Sequence, residues 1–410
     1  MSAASAETEL VPIIDGLQAF IESEIVPIEE ANRDVLEGAH GPWGADGSYS
    51  EPVRALLRET RSRSAKAGYY TMLAPLSVGG GGLGSTAAFL VWERIYGACG
   101  PGRLLPYHVV GRWTSGPSHL LEYLTPALYD SVAADLLAGE ITTCFAMSEP
   151  DAGSDAWAIA TSATPAGDGR WRVTGTKQWI SNSPHADAAL VFAVTDAEMR
   201  ARRRGGISCF YIPMAAPGVS VDSVIRVYGE QGGNEAIVSF VDVEVGLDQL
   251  VGTLHQGFKI AMSGVSNGRI FNAGRCVGLA RWALARAVSY AQERTTFGNP
   301  LMDYQGVSFP LSDSATQIYA ARCLALDVAR KLDSGERARM ELAMAKMYCS
   351  EACYRTYDRA MQVHGAMGLT NEMKLYHGWH QARTQRVADG SAEIMRRVIV
   401  NELRRGEMPF

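Results

Sequence analysis

The spacing of apolar residues changes twice along this 410-residue chain, and these changes constrain its fold most strongly. Before about residue 139 and after about residue 257, apolar residues recur every three or four positions, as on one face of an α-helix. Between these regions, short apolar runs rich in Val, Thr and Phe are separated by turns, without long helices. Strands connected in this way form an antiparallel sheet or barrel rather than a parallel, doubly wound sheet. The sequence therefore predicts an α+β fold with an all-α N-terminal domain at 1–139, an antiparallel middle β-domain at 140–250 and a C-terminal helical bundle at 251–410.

The same periodicities predict the individual elements. Helices are expected over 7–35, 50–68, 86–98, 118–138 (with a break at Pro126), 264–293, 308–334, 338–365 and 391–404. Strands are expected over 141–147, 171–181 (around a turn), 188–194, 206–212 and 236–245. The glycine-rich segment at 75–84 lacks the Lys-Ser/Thr ending of a phosphate-binding loop, so it is interpreted as a flexible turn.

Composition and charge exclude several classes of protein. Hydrophobic residues make up 47% of the chain and charged residues 20%, which is typical of a globular protein. The net charge of −6 does not favour nucleic-acid binding. Seven scattered cysteines indicate a reducing compartment, and no Cys/His cluster has the spacing of a metal site. Without a signal peptide or an apolar run long enough to span a bilayer, we expect a cytoplasmic protein with no membrane span.

The segment Arg386–Arg397 holds the best candidate for a catalytic residue. Asp389 precedes Gly390 and Ser391, and a helical pattern follows. Ser391 suits the N-cap of that helix, while Glu393 suits the positive end of its dipole. A carboxylate at such a helix start can act as a general base, and Gly390 permits close approach of another group. Taken alone, the segment is more simply interpreted as a helix cap.

Four further motifs reverse that preference. Cys144–Asp155, Gly175–Asn182, Arg294–Gly298 with Gln305, and Gln362–Gly368 occur in this order before the Asp389 segment. Together the five motifs resemble the signatures of the acyl-CoA dehydrogenase family. The resemblance is firm over about residues 140–405. It implies an FAD enzyme with an N-terminal helical domain, a middle β-domain and a C-terminal four-helix bundle, assembled as a dimer or tetramer.

The resemblance also implies a reaction. A base removes the α-proton of an acyl-CoA thioester, and flavin N5 accepts the β-hydride, which leaves the 2,3-enoyl-CoA. The thioester carbonyl must be polarised by hydrogen-bond donors. In the family one donor is the backbone amide of the base, here Asp389, and the other is a flavin ribityl hydroxyl. Electrons would then pass to an electron-transfer flavoprotein.

Residues at the matching positions are expected to bind FAD. In the middle domain these are Phe145, Met147, Ser148, Gly153, Ser154, Trp179, Ile180 and Ser181. In the C-terminal domain they are Arg294, Thr296, Phe297, Gln305, Gln362, Gly365, Ser391 and Glu393. Ser154, Arg269 and Gly390 are expected to meet the substrate. On local pattern alone, Ser148 could be an ordinary strand-end serine, Trp179 a core residue and Arg294 a surface arginine.

One position departs from most of the family, which has Glu where this chain has Asp389. Asp is shorter by one methylene, a difference in reach of roughly 1.5 Å. A minority branch carries a similar Ala-Asp-Gly sequence. Two alternatives therefore remain: a flavin oxidase, of acyl-CoA or nitroalkane-oxidase type, and a non-enzymatic flavin-binding scaffold. The basic segment Arg200–Arg204 could meet CoA phosphates, although a solvated loop is the simpler interpretation.

Overall fold

A computed structural model describes residues 3–38, 41–228 and 230–408 of the chain. Its contacts divide the chain into two compact units. The first comprises Met1–Ser23, Leu83–Tyr107 and Ser266–Phe410, and the second comprises Glu24–Gly82 and His108–Val265. The expected domain boundaries at 139/140 and 250/251 remain predictions, and residues 1–2, 39–40, 229 and 409–410 lie outside the described residues.

The described helices follow the predicted periodicity closely. They are α1 (Ala3–Phe20), α2 (Val26–Ala31), α3 (Arg33–Glu37), α4 (Glu51–Lys66), α5 (Ser85–Cys99), α6 (Pro126–Ala138), α7 (Ala197–Ala201), α8 (Gly257–Glu293), α9 (Gln305–Asp333), α10 (Arg339–His364), α11 (Leu375–Gln385) and α12 (Ala392–Leu403). The predicted helix over 7–35 is interrupted by a π-helical turn at Ile21–Ile25 and by Asn32. Helices α7 and α11 were not predicted.

The strands lie in the second unit, apart from one short hairpin. They are β1 (Thr143–Ala146), β2 (Ser162–Gly167), β3 (Arg170–Ser181), β4 (Ala188–Val194), β5 (Ile207–Pro213), β6 (Val219–Ile225), β7 (Glu235–Val245) and β8 (Leu250–Val251), followed by the hairpin β9 (Thr295–Thr296) and β10 (Asn299–Pro300). The sheet order is β6-β7-β3-β2-β4-β5-β8, with β1 beside β4. Pairings are antiparallel except for those of β4 with β1 and β2. The predicted α+β fold is confirmed.

One of two local predictions was wrong, for a physical reason. The turn expected within 171–181 is absent, because β3 runs through Gly175 as one strand. A Cβ on Gly175 would lie 2.4 Å from Oγ1 of Thr161, so this glycine permits close approach of the residue just before β2. The predicted break at Pro126 is confirmed, because a 3₁₀ turn at His119–Tyr123 ends before it and Pro126 begins α6. Thr125 caps that helix by accepting a hydrogen bond from the Leu128 amide at 3.3 Å, and proline is favourable in the first turn.

The first unit is a helical bundle centred on α10. Helix α10 packs against α9, α11 and α12, and its Ala343, Cys349 and Cys353 are almost fully buried. Glu93 of α5 is also buried and forms ion pairs with Arg281 of α8 and Arg322 of α9, each at 2.8 Å. A buried carboxylate is stable only when it is paired, so this network fixes α5 against both helices. The bundle thereby gives the segment between α11 and α12 a rigid support.

Candidate active site

Asp389 lies in the short connection between α11 and α12. Its φ is +52°, and that of Gly390 is +96°. A left-handed backbone costs a non-glycine residue on the order of 1–3 kcal/mol and persists where surrounding contacts hold it. Ser391 caps α12 by accepting a hydrogen bond from the Ile394 amide at 3.3 Å, as predicted. The amides of Asp389, Gly390 and Ser391 donate to no group that the structure describes.

The carboxylate of Asp389 is held from α8. Nδ2 of the buried Asn272 donates to Oδ2 of Asp389 at 2.6 Å, and Nε of Arg269 donates to the Asp389 carbonyl at 3.4 Å. Burial raises the pKa of Asp389, while Lys346, Asn272 and the nearby arginines oppose that rise. A carboxylate with one oxygen held, a raised pKa and an adjacent unbonded amide can act as a base beside an oxyanion donor.

Lys346 of α10 lies beneath this connection. Its side chain is about 1% exposed, and Nζ donates to the carbonyls of Gln385 at 2.8 Å and Gly390 at 2.6 Å. Burial lowers the pKa of Lys346 to about 8, and the charge of Asp389 opposes this effect. Neither Lys346 nor Asn272 was predicted from the sequence. The available signal was one lysine among the alanines and methionines of 343–347.

The second unit joins the first two motifs through a buried ion pair. Lys177, which is fully buried, bonds Glu149 at 2.8 Å and the carbonyls of Met147 at 3.1 Å and Phe192 at 2.6 Å. Burial lowers the pKa of Lys177 to about 8, while Glu149 opposes that shift. The Gln178 amide also donates to the Ser148 carbonyl at 2.9 Å. These contacts bring Ser148 close to the segment that carries Trp179 and Ser181.

Trp179 is not a core residue. Its side chain is 53% exposed, its φ is +65°, and it lies at a register irregularity between β3 and β7. Ser181 donates to Glu235 at 3.1 Å, and the Ser148 hydroxyl has no partner among the described groups. Ile180 is buried in the sheet, so only its main chain can face a ligand. An exposed indole on a strained backbone, near a free hydroxyl, is typical of a ligand-contacting edge.

Four other predicted residues of this unit differ in exposure. Met147 is buried and Phe145 half-buried, with the Phe145 ring 4.9 Å from that of Trp113. Gly153 and Ser154 are exposed, and a Cβ on Gly153 would meet no atom within 4 Å. The backbone of this turn is therefore open to an approaching group.

The third motif forms the β9–β10 hairpin of the first unit. Its turn residues Phe297 and Gly298 both have positive φ, and Phe297 is 92% exposed. The Tyr304 hydroxyl donates to the Thr296 carbonyl at 2.6 Å and braces the hairpin. Arg294 is exposed and forms no hydrogen bond or ion pair through its side chain with the described residues.

The fourth motif lies beside the third. The rings of His364 on α10 and Tyr290 on α8 stack with centroids 4.3 Å apart. Tyr290 is one turn before Arg294, so the stack brings the end of α10, with Gln362 and Gly365, near that arginine. Gln305, Gln362, Gly365 and Glu393 are all exposed.

The arginine-rich segment is partly paired. Arg200 donates to the carbonyl of Ile159 at 3.1 Å, and Arg203 forms an ion pair with Asp155 at 3.3 Å. Arg202 pairs with Glu198 on α7. The segment therefore braces its own unit, and its predicted contact with CoA phosphates remains a prediction.

Comparison with known proteins defines the class to which this fold and site belong. Residues 144–243 match "Acyl-CoA dehydrogenase, middle domain", and residues 255–403 match "Acyl-CoA dehydrogenase, C-terminal domain". The chain belongs to the acyl-CoA dehydrogenase family. It is 36% identical to the human mitochondrial short-chain specific acyl-CoA dehydrogenase over 338 residues, which cover 82% of this chain and 80% of the human protein.

Two other relatives extend the comparison. The caffeyl-CoA reductase-Etf complex subunit CarC of Acetobacterium woodii is 30% identical over 346 residues, covering 83% of this chain and 88% of that protein. The structure of butyryl-CoA dehydrogenase from Megasphaera elsdenii superposes with a TM-score of 0.79 at 27% identity, covering 95% of this chain and 97% of that one. This chain is accordingly an FAD-dependent oxidoreductase.

The residues present fit FAD. The exposed Trp179 offers a surface for a planar ring, the free Ser148 hydroxyl a hydrogen-bond donor, and the unpaired Arg294 a partner for phosphate.

Among residues 3–38, 41–228 and 230–408, no cluster of three or more His, Cys, Asp or Glu side chains could hold a metal ion. In the same part of the chain, no helix is both long and apolar enough to cross a membrane.

Proposed function

We propose that this protein oxidises an acyl-CoA thioester to the 2,3-enoyl-CoA, with Asp389 as the base. The conformation of Asp389 carries the proposal. It combines a carboxylate fixed at 2.6 Å by Asn272 with a backbone amide that donates to no described group. In the proposed reaction, Oδ1 of Asp389 takes the α-proton while the Asp389 amide donates to the thioester carbonyl. The bound FAD supplies the hydride acceptor.

Aspartate at this position supports the proposal that the protein belongs to the minority branch of its family. The shorter side chain must be brought to the substrate by the backbone, because about 1 Å of misplacement can cost on the order of a hundredfold in rate. The left-handed backbone of Asp389 and Gly390 supports such a local adjustment. Among the described residues, the region of α8 where some branches carry their base has Asn267, Gly268 and Arg269 and no carboxylate.

The FAD contacts are proposed for one set of residues in each unit. In the second unit, Ser148 and Ser181 would bond the flavin ring and Trp179 would pack on it, with Phe145, Met147, Gly153, Ser154 and Ile180 around them. In the first unit, Arg294 would pair with the pyrophosphate, and Thr296, Phe297, Gln305, Gln362, Gly365, Ser391 and Glu393 would complete the contacts. Arg269, Gly390 and Ser154 would meet the substrate. Arg269 would act near the base, because it already bonds the Asp389 carbonyl.

The names of relatives support a CoA thioester but not one acyl group. One relative is named for short-chain acyl groups, another for butyryl-CoA and a third for caffeyl-CoA. The third is named as part of a complex with Etf, which supports an electron-transfer flavoprotein as the acceptor here. The expected dimer or tetramer remains a prediction. A cytoplasmic location remains a prediction.

A flavin oxidase is the second candidate. The observation that favours it is Asp389 itself, since nitroalkane-oxidase-like relatives also use Asp as the base. Such an enzyme would pass electrons to oxygen instead of to a protein partner. The two candidates share the same base and the same FAD contacts, so they differ only in substrate and electron acceptor.

Anaerobic reduction of the bound flavin tests the proposed function. Loss of absorbance at about 450 nm, where the oxidised cofactor absorbs, is followed with straight-chain, branched and aryl acyl-CoAs. We expect one class to bleach the flavin. The Asp389→Asn variant should retain FAD while its reduction is slower by about 10²–10⁴-fold, because the base is lost. Undiminished reduction in this variant would rule out Asp389 as the base.

A further inference from the structure

We propose that Lys346 is a positioning residue that holds the Asp389 connection in its reactive conformation, an inference that rests on the proposed function. Nζ of Lys346 donates to the carbonyl of Gln385, the last residue of α11, at 2.8 Å. It also donates to the carbonyl of Gly390, directly after the base, at 2.6 Å. One ammonium thus ties together both ends of the segment 385–390.

A cation suits this position for two reasons. The carbonyls at the end of a helix lack intrahelical partners and carry the negative end of its dipole, so Gln385 favours a positively charged donor. The Gly390 carbonyl belongs to a left-handed turn whose shape must be imposed by contacts from outside. An ammonium has three donors and can bond both carbonyls at once. A buried lysine without such a role would be costly, because its charge is removed from water.

Other contacts hold the segment less directly. The amides of Val387 and Ala388 donate to the Thr384 carbonyl at 2.9 and 3.0 Å, and the Ala392 amide donates to the Arg386 carbonyl at 3.0 Å. These bonds shape the backbone from within the segment. From α10, Glu351 also pairs with the Arg386 side chain at 3.0 Å. Lys346 is different because it bonds main-chain carbonyls at both ends of the segment.

The charge of Lys346 also acts on the base. Asp389 is faced by Lys346 from α10 and by Arg269, Asn272 and Arg275 from α8, and Lys346 is the foremost of the groups that lower the pKa of Asp389 against burial. Lys346 is itself near Cys276, Arg269 and Glu351. Removing its charge therefore raises the pKa of Asp389. Because the base acts unprotonated, the acid limb of the pH–rate profile should move to higher pH.

Lys346→Met is the primary variant, since methionine keeps the length of the side chain but removes its charge and donors. Lys331→Met is the matched control: Lys331 lies in the same bundle and pairs with Asp327 at 3.2 Å and with Glu341 at 3.3 Å. Hydrogen exchange of the holoenzyme is measured over 385–392 without substrate. We expect the amides of 385–392 to exchange about tenfold faster or more in Lys346→Met than in wild type, and at the wild-type rate in Lys331→Met. In the wild type, each hydrogen bond to the charged ammonium stabilises the closed conformation of the segment, and Lys346→Met loses these bonds.

Flavin reduction supplies a second readout on the same proteins. The probe is the acyl-CoA that bleaches wild-type flavin fastest. We expect the limiting reduction rate of Lys346→Met to fall by about 10–100-fold, as for a misplaced base. The half-saturating thioester concentration should change little, and the acid limb should move to higher pH. A merely structural lysine would lower thermal stability without moving that limb.

The outcomes separate this inference from the proposed function. Unchanged exchange over 385–392, or an unmoved acid limb with a full reduction rate, would overturn the role of Lys346. A second outcome is faster exchange in Lys346→Met together with a wild-type flavin that no acyl-CoA bleaches. That outcome would support Lys346 as the anchor of the segment and contradict the proposed reaction. If Lys346→Met fails to fold, Lys346→Gln is used, because glutamine keeps a donor for one carbonyl but has no charge. Its exchange rate over 385–392 should lie between those expected for wild type and Lys346→Met. Its acid limb should move to higher pH by as much as expected for Lys346→Met. Wild-type behaviour of Lys346→Gln in both readouts would also contradict the proposal.

Discussion

At the scale of single residues, the chemistry of Asp389 depends on partners that are distant in sequence. Asn272 lies 117 positions before it, yet its amide bonds one carboxylate oxygen at 2.6 Å. Sequence patterns identified the carboxylate because it precedes a glycine and a helix cap. They did not identify Asn272, because one polar residue on a long helix carries no local signal.

Replacing Asn272 by leucine tests this partner. The hydrogen bond lowers the pKa of Asp389, so its loss should raise that pKa and move the acid limb of flavin reduction to higher pH. A hydrogen bond to a charged group contributes about 1.5–3 kcal/mol, so we expect the reduction rate at neutral pH to fall roughly tenfold or more. Stopped-flow reduction across a pH series measures both effects.

Ser289→Ala is the control for Asn272→Leu. It removes an exposed side-chain hydrogen bond to Glu293 on the same helix and should leave the profile unchanged. Coincident acid limbs in Asn272→Leu and wild type would show that Asn272 does not tune the base.

At the scale of elements, the ion pair of Lys177 and Glu149 links strand β3 to the segment after β1. Both side chains are buried, so removing one partner leaves an uncompensated charge. We expect Lys177→Met to lower the free energy of unfolding by about 3–5 kcal/mol, measured by urea denaturation. FAD occupancy should also fall, because the Met147 and Ser148 backbone loses its support.

The double variant Lys177→Met with Glu149→Gln separates charge from packing. It removes both charges, so its loss of stability should be smaller than that of Lys177→Met alone. Equal losses would indicate that packing around Lys177, rather than its charge, stabilises this unit.

The β9–β10 hairpin gives a second prediction at this scale. Its exposed, unpaired Arg294 is proposed to bind the FAD pyrophosphate. Arg294→Ala should weaken FAD binding by about 1.5–3 kcal/mol, or roughly tenfold or more, as measured by titrating the apoprotein. Arg337→Ala removes another exposed arginine of the first unit and should bind FAD normally. Full FAD occupancy of Arg294→Ala after dialysis would count against this contact.

At the scale of the whole molecule, the electron acceptor distinguishes a dehydrogenase from an oxidase. We expect reduced enzyme to be reoxidised slowly by air-saturated buffer and rapidly by an electron-transfer flavoprotein, because a relative at 30% identity is named as part of an Etf complex. Absorbance at about 450 nm follows both reactions. Equally rapid reoxidation by oxygen would favour the oxidase.

Some elements of the fold were predicted correctly from the sequence and others were not. The long helices α8, α9, α10 and α12 and the strands β4, β5 and β7 were predicted within a few residues, except for the start of α8. Strands β2 and β6 and helix α11 were missed, because most residues of the two strands are exposed and the buried face of α11 is made mainly of small or polar residues. A turn was expected within 171–181, although Gly175 there makes close contact with Thr161, a neighbour that is identified only in three dimensions.

The sequence by itself determined the α+β fold, the family and the identity of the candidate base. Each of these depends on local spacing: helical or alternating periodicity, and motifs whose residues are neighbours in the chain. Only the tertiary structure decided what surrounds Asp389. Asn272, Arg269 and Lys346 come from two different helices, and they meet the base because α8 and α10 pack beside it. Such contacts depend on helix packing and burial, which no local pattern specifies.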